Sequence, residues 1–164
     1  APTLAERLTG AGHSVRIVRR FPANGWDEVI DEALSGRVAF SGGELLFAPT
    51  AAMTTVDVDG DLPPPALALA SVHALASALR RFDLGGSIAV DFPTLSVKGD
   101  RRAVDIALGA ALTGWPHERT AMNGFGLVQI VNRLERPSLL QLATWKRNGL
   151  VWRRLLRRAE ALMG

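Results

Sequence analysis

The chain has 164 residues, a net charge of +3 with neutral histidine, 48% apolar residues and no cysteine. This composition excludes a disulfide scaffold, a thiolate metal site and an intrinsically disordered chain, and it supports one domain with a buried core. Lys98 and Lys146 are the only lysines among 19 basic residues. The arginine excess suits planar contacts to phosphate, and it follows equally from GC-rich coding.

No uncharged apolar run reaches the ~18 residues that a membrane span needs. The start, "APTLAERL", has neither a basic n-region nor an apolar h-region, so a cytoplasmic location is expected. Without an initiator Met, the chain reads as a processed or excised piece. In chain order, residues 3–9 read as a short helix and "HSVRIV" (13–18) alternates like a strand. "GWDEVIDEALSG" (25–36) places Trp26, Val29, Ile30 and Ala33 at helical spacing, with Gly36 as the stop. After a turn at 41–43, "ELLFAP" and "MTTVDVD" read as neighbouring antiparallel strands. Leu62-Pro63-Pro64-Pro65 ends the second strand and opens a helix over 66–82, with Val72, Leu75, Ala76, Leu79 and Phe82 on one stripe.

"SIAVDF" (87–92) is mostly apolar and reads as a central strand buried on both faces. Strand, helix, strand implies a right-handed crossover between parallel neighbours. Residues 99–112 form a further helix, with Val104, Leu108, Ala111 and Leu112 inward. "RTAMNG" and "GLVQIVNRL" give two more strands. A last helix over 150–163 carries Val151, Leu155, Ala159 and Leu162 on an inward stripe. The fold class is α/β (α+β), a mixed β-sheet flanked by helices.

Asp57 and Asp59 alternate on one strand, and Asp91 ends the central one. The crossover makes these strands parallel, so the acids meet near the carboxyl ends where functional crevices form. Such carboxylates can hold a hard cation such as Mg²⁺, line a catalytic site, or simply form solvated turns and caps. A calcium loop starting at Asp57 fails, because position six is Leu62 and position twelve is Ala68. Asp61 reads as a turn or cap residue.

The ordered blocks "TTVDVD", "DLGGSIAVDF" and "FGLVQI…RPSL" resemble the catalytic core of the bacterial ribonuclease E/G family, over roughly residues 25–140. The resemblance implies a DNase I-like core at 39–140 and a small RNase H-like segment at 1–38; the residues beyond it, 141–164, read as a C-terminal basic helix. It implies Mg²⁺-dependent endonucleolytic cleavage of single-stranded RNA to 5′-phosphate and 3′-hydroxyl ends; Mn²⁺ is a possible ion at the same carboxylates. Asp57 and Asp91 fall on the family's metal-binding aspartates. Asp59 falls where the family usually has an Asn that helps place the attacking water or the scissile phosphate. Arg119 falls on an arginine that contacts a substrate 5′-phosphate. The cysteines of the family's zinc link are missing from "LQLATWKRNG", so no zinc-linked dimer is expected; the oligomeric state stays open.

Arg101 and Arg102 open the helix after Asp91, where they could reach phosphate or form a solvated face. Phe125 in "NGFG" could stack on a base or pack in a tight hairpin. The six bases between Lys146 and Arg158 could track an RNA backbone or be a solvated face. His13, His73 and His117 have no ligand spacing, and the four tryptophans read as packing residues. Two rivals to an endoribonuclease remain: an RNA-binding scaffold that has lost turnover, and a DNA-directed nuclease.

Overall fold

The structure, a computed structural model, describes residues 2–18 and 25–163. Twelve elements follow in order. They are α1 (Leu4–Gly10), α2 (Gly25–Ser35), β1 (Arg37–Phe40), β2 (Gly43–Pro49), β3 (Thr54–Gly60), α3 (Pro64–Arg81), β4 (Gly86–Asp91), α4 (Lys98–Ala111), β5 (Glu118–Arg119), β6 (Leu127–Asn132), α5 (Leu139–Trp145) and α6 (Arg147–Met163). Among the described residues the strands form one six-stranded sheet in the order β1-β2-β3-β4-β6-β5. Only β3 and β4 are parallel; the other neighbours are antiparallel. The fold is therefore α/β with a mixed sheet.

Strict alternation divides the sheet into two unlike faces. Val38, Leu45, Phe47, Val56, Val58, Ile88, Val90, Val128 and Ile130 are buried under the helices. Thr55, Asp57, Asp59 and Asp91 point the other way and are exposed. The long crossover helix α3 covers β1, β2 and β3 and packs beside α4. Its prolines stand at the first turn, where a missing N–H costs nothing, and Leu75, Ala78 and Leu79 are fully buried along it. Phe82 closes the helix and meets Phe47 edge to face, with ring centroids 5.5 Å apart. At the end of α2, Gly36 takes a positive φ of 72° and its backbone is so close to β2 that a Cβ would lie 2.6 Å from the Phe47 carbonyl oxygen.

Several expectations need correction. Residues 13–18 have no regular structure, and Ile17 is 85% exposed. Alternation there has no strand to pair with among the described residues, and a strand needs a neighbour for its ladder. β4 is central but buried on one face only, because nothing packs over Asp91 among the described residues. The strand expected over 119–124 is two residues long, since the chain turns at Asn123. β1 is an additional strand, and the helix expected over 141–164 is two helices, α5 and α6. The inward stripe of the last helix is exposed at Val151 and Leu155, because α6 packs chiefly against α5. The side chains of Arg147, Arg154, Arg157, Arg158 and Leu162 lie outside the described set; Lys146 and Arg153 are exposed. Trp26, Trp145 and Trp152 are also mostly exposed, and Trp115 packs against the core.

The sheet depends on the cover provided by α3. Replacing Leu79 with Ala is expected to destabilise the domain by about 2–5 kcal/mol, because it removes a fully buried side chain from a filled core. Chemical denaturation of the two proteins measures this directly.

Candidate functional site

The site is built by strand register. In the parallel pair, Val56 lies opposite Val90 and Asp57 lies opposite Asp91. Residues level with each other on adjacent strands share a face, and neighbouring strands run about 4.8 Å apart. The two carboxylates therefore stand side by side on the open face, at the point where β4 ends. Neither has a hydrogen-bond or ion-pair partner among the described residues. Like charges held this close repel unless a cation lies between them.

Asp59 is two residues further along the same face. β4 has ended by then, and the opposing residue is Glu44 of β2. One Asp59 carboxylate oxygen accepts the Gly60 backbone N–H at 2.9 Å, so this acid also shapes the strand exit. Glu44 is neutralised by an ion pair with Arg37. Among the described residues no group of three or more His, Cys, Asp or Glu converges on one point. The donor set is thus two hard carboxylates open to solvent. That suits a Mg²⁺-like ion, which takes one or two carboxylates and completes its shell with water and phosphate.

The arginines divide differently from the sequence expectation. Arg119 pairs with Ile130 and so faces the helices, away from Asp57 and Asp91. Its guanidinium donates to the Asp105 carboxylate at 2.9 Å and to the Asp105 carbonyl at 2.7 Å. Asp105 also accepts the Met122 backbone N–H at 3.1 Å. Arg119 thereby ties β5 to α4. Arg101 donates to the carbonyls of Leu95 and Ser96, so it holds the loop that follows Asp91. Arg102 is exposed at the start of α4, with no partner among the described residues.

The hairpin before β6 is set beside the same strand end. Asn123 accepts the backbone N–H groups of Phe125 and Leu127 through Oδ1, at 2.9 and 3.0 Å. Phe125 is 80% exposed, which excludes the packed-core reading of this residue. Leu127 lies opposite Asp91 and is partly open. Sequence reading missed Leu127 and Asn123. Counting back by parity from buried Val128 and Ile130 places Leu127 on the face of Asp91, and Asn-Gly marks the turn. His117 stacks on Trp115 and bonds its carbonyl. A separate cavity of about 390 Å³ lies at the β1 edge, lined by Glu32, His73, Ser77 and Arg81. There Glu32 and Arg81 pair at 2.6 Å, and the acid pair is not part of it.

An α/β domain carrying two level carboxylates at the exit of its parallel strands is the class that this geometry defines. The sequence model of the ribonuclease E/G family matches residues 15–134. Ribonuclease G of Escherichia coli (strain K12) is 33% identical over 123 residues, covering 67% of this chain and 25% of that protein. The Ribonuclease G proteins of Shigella flexneri and Salmonella typhimurium (strain SL1344) match at the same identity and coverage. The chain belongs to the ribonuclease E/G family. It spans about a quarter of the length of the curated relatives it matches.

The Asp105 network predicts a separable structural effect. Asp105→Ala removes the carboxylate that pairs with Arg119 and accepts the Met122 N–H, leaving Arg119 only its carbonyl bonds, and is expected to cost about 1–3 kcal/mol of stability. A thermal melt reads this loss.

Proposed function

We propose that this domain is the catalytic part of a Mg²⁺-dependent endoribonuclease that cleaves single-stranded RNA to 5′-phosphate and 3′-hydroxyl ends. The observation that carries the reading is the level placement of Asp57 and Asp91 on an open face. Family membership supports it, since the matched relatives carry the name Ribonuclease G. In this reading residues 39–140 are the DNase I-like core, 1–38 the RNase H-like segment and 141–164 a basic helix, and the protein acts in the cytoplasm.

Asp57 and Asp91 hold the ion. When bound, Mg²⁺ (or Mn²⁺) supplies a water activated for attack and offsets charge on the phosphodiester. The Asp59 oxygen not bonded to Gly60 would accept a hydrogen bond from the attacking water and so orient it. Arg102 steadies a flanking phosphate. Arg101 and Arg119 act through the fold, because their guanidinium groups are already engaged.

Asp57→Asn or Asp91→Asn is expected to lower cleavage of a 5′-monophosphorylated, AU-rich RNA by at least about a hundredfold, since such an ion contributes several kcal/mol to the barrier. Full retained activity in either variant would remove that residue from the mechanism. A second readout needs no turnover. Mg²⁺ is expected to raise the melting temperature of the parent by ligand linkage and to leave the Asp57→Asn/Asp91→Asn protein unchanged. The same double variant is expected to melt higher than the parent in EDTA, because the unscreened repulsion is gone.

One observation favours the rival scaffold reading. An Asp at 59, opposite Glu44, adds negative charge where phosphate must approach. Asp59→Asn separates the two. For a working nuclease it is expected to lower the KM for RNA. If RNA binds while neither the parent nor this variant cleaves at any Mg²⁺ or Mn²⁺ concentration, the scaffold stands.

A further inference from the structure

The turn at 123–126 combines a backbone frame held by several hydrogen bonds with a large apolar side chain left in water. The Phe125 N–H donates to Asn123 Oδ1 at 2.9 Å, and its carbonyl accepts the Thr94 hydroxyl at 3.2 Å. Gly126 donates to the Asn123 carbonyl, and its own carbonyl accepts the Phe92 N–H, both at 3.2 Å. Gly126 has a φ of 95°, and a Cβ there would overlap the Phe92 carbonyl. The hairpin is thus clamped to residues 92–94, which leave β4 directly after Asp91. Leu95 and Phe92 are buried beneath, and Arg101 holds the carbonyls of Leu95 and Ser96 from the far side.

Above this clamp the Phe125 ring is 80% exposed. Leu127, 40% exposed, lies level with Asp91, and Val97, 57% exposed, closes the same loop. Isolated exposed apolar residues are ordinary, but a rigidly framed aromatic beside a charged site is a recognition feature. The turn needs Asn123 and Gly126 for its geometry; nothing in that geometry needs a phenyl group at 125.

We infer that Phe125 is a stacking platform for an unpaired nucleobase next to the phosphodiester held at Asp57 and Asp91. This deepens the nuclease reading and rests on it for the position of the phosphate. Every base has a π-face, so the platform tolerates sequence while demanding a base free of its partner strand. It therefore selects single strands by shape. Arg101 is a positioning residue in this account, because it fixes the loop to which the platform is bonded.

The test measures binding without turnover. In an Asp57→Asn/Asp91→Asn background, Phe125→Ala is expected to weaken binding of a labelled 12-nucleotide single-stranded RNA by about tenfold, the size of one lost base stack. Phe125→Trp is expected to restore it, and Phe125→Leu, apolar but without a ring face, is not. An RNA carrying one abasic position at the cleavage site is expected to bind equally to this background with and without Phe125→Ala. Melting temperatures are expected to match throughout, because the ring is outside the core. Equal affinity of the Phe125→Ala protein and its parent overturns the proposal, as does the absence of RNA binding by the parent. If Phe125→Ala weakens binding while the chain with both aspartates intact cleaves nothing, the platform stands and the nuclease reading fails. If that chain cleaves RNA and Phe125→Ala changes neither binding nor rate, the nuclease reading stands and the platform fails.

Discussion

The register of β3 against β4 is the constraint on which the rest depends. It sets Asp57 level with Asp91, and it cannot slip by one residue. Such a slip of β3 would turn Val56 and Val58 outward and Asp57 into the core, while Asp91 stayed on the open face. A slip of two would keep the faces but separate the acids by the rise of two residues, roughly 6.6 Å. The β2–β3 turn opposes that: Thr50 donates its backbone N–H to the Met53 carbonyl at 2.9 Å and its hydroxyl to the same oxygen at 2.7 Å. The crossover helix α3 opposes it from the other end, because Leu75, Ala78 and Leu79 have no room to move along the sheet.

The two faces of the sheet do different work. The helix side holds the domain together and contains the ion pair between Arg119 and Asp105. The open side carries acids without protein partners among the described residues, level with one another and flanked by an exposed aromatic. A face of this kind is electrostatically unfinished. Two adjacent carboxylates destabilise each other in the folded state, and the core contributed by α3 and α4 offsets that cost. Membership of the ribonuclease E/G family fits a domain in which folding and site are divided between opposite faces.

Much of this was legible in the residues themselves. The alternation in "TTVDVDGD" gave β3 and its exposed acids, the proline run gave the start of α3, and strand-helix-strand order gave the parallel pair. Other parts were not. "HSVRIV" alternates as regularly as β3 does but forms no strand, because alternation describes a surface and a strand also requires a partner. Arg119 stands in a plausible motif, yet parity on β5 turns it towards Asp105. Phe125 reads first as the packed residue of a tight hairpin, and only the Asn123 turn of the folded chain leaves it exposed.

The residues alone determined the period of β3, α3 and β4, the parallel connection between the two strands and the family to which the chain belongs, because these follow from local spacing and ordered motifs. Tertiary structure decided which acids stand level, which arginines are already committed and which aromatic is left in solvent. Those outcomes depend on pairing between segments far apart in the chain, and local periodicity carries no information about which residue faces which across a ladder.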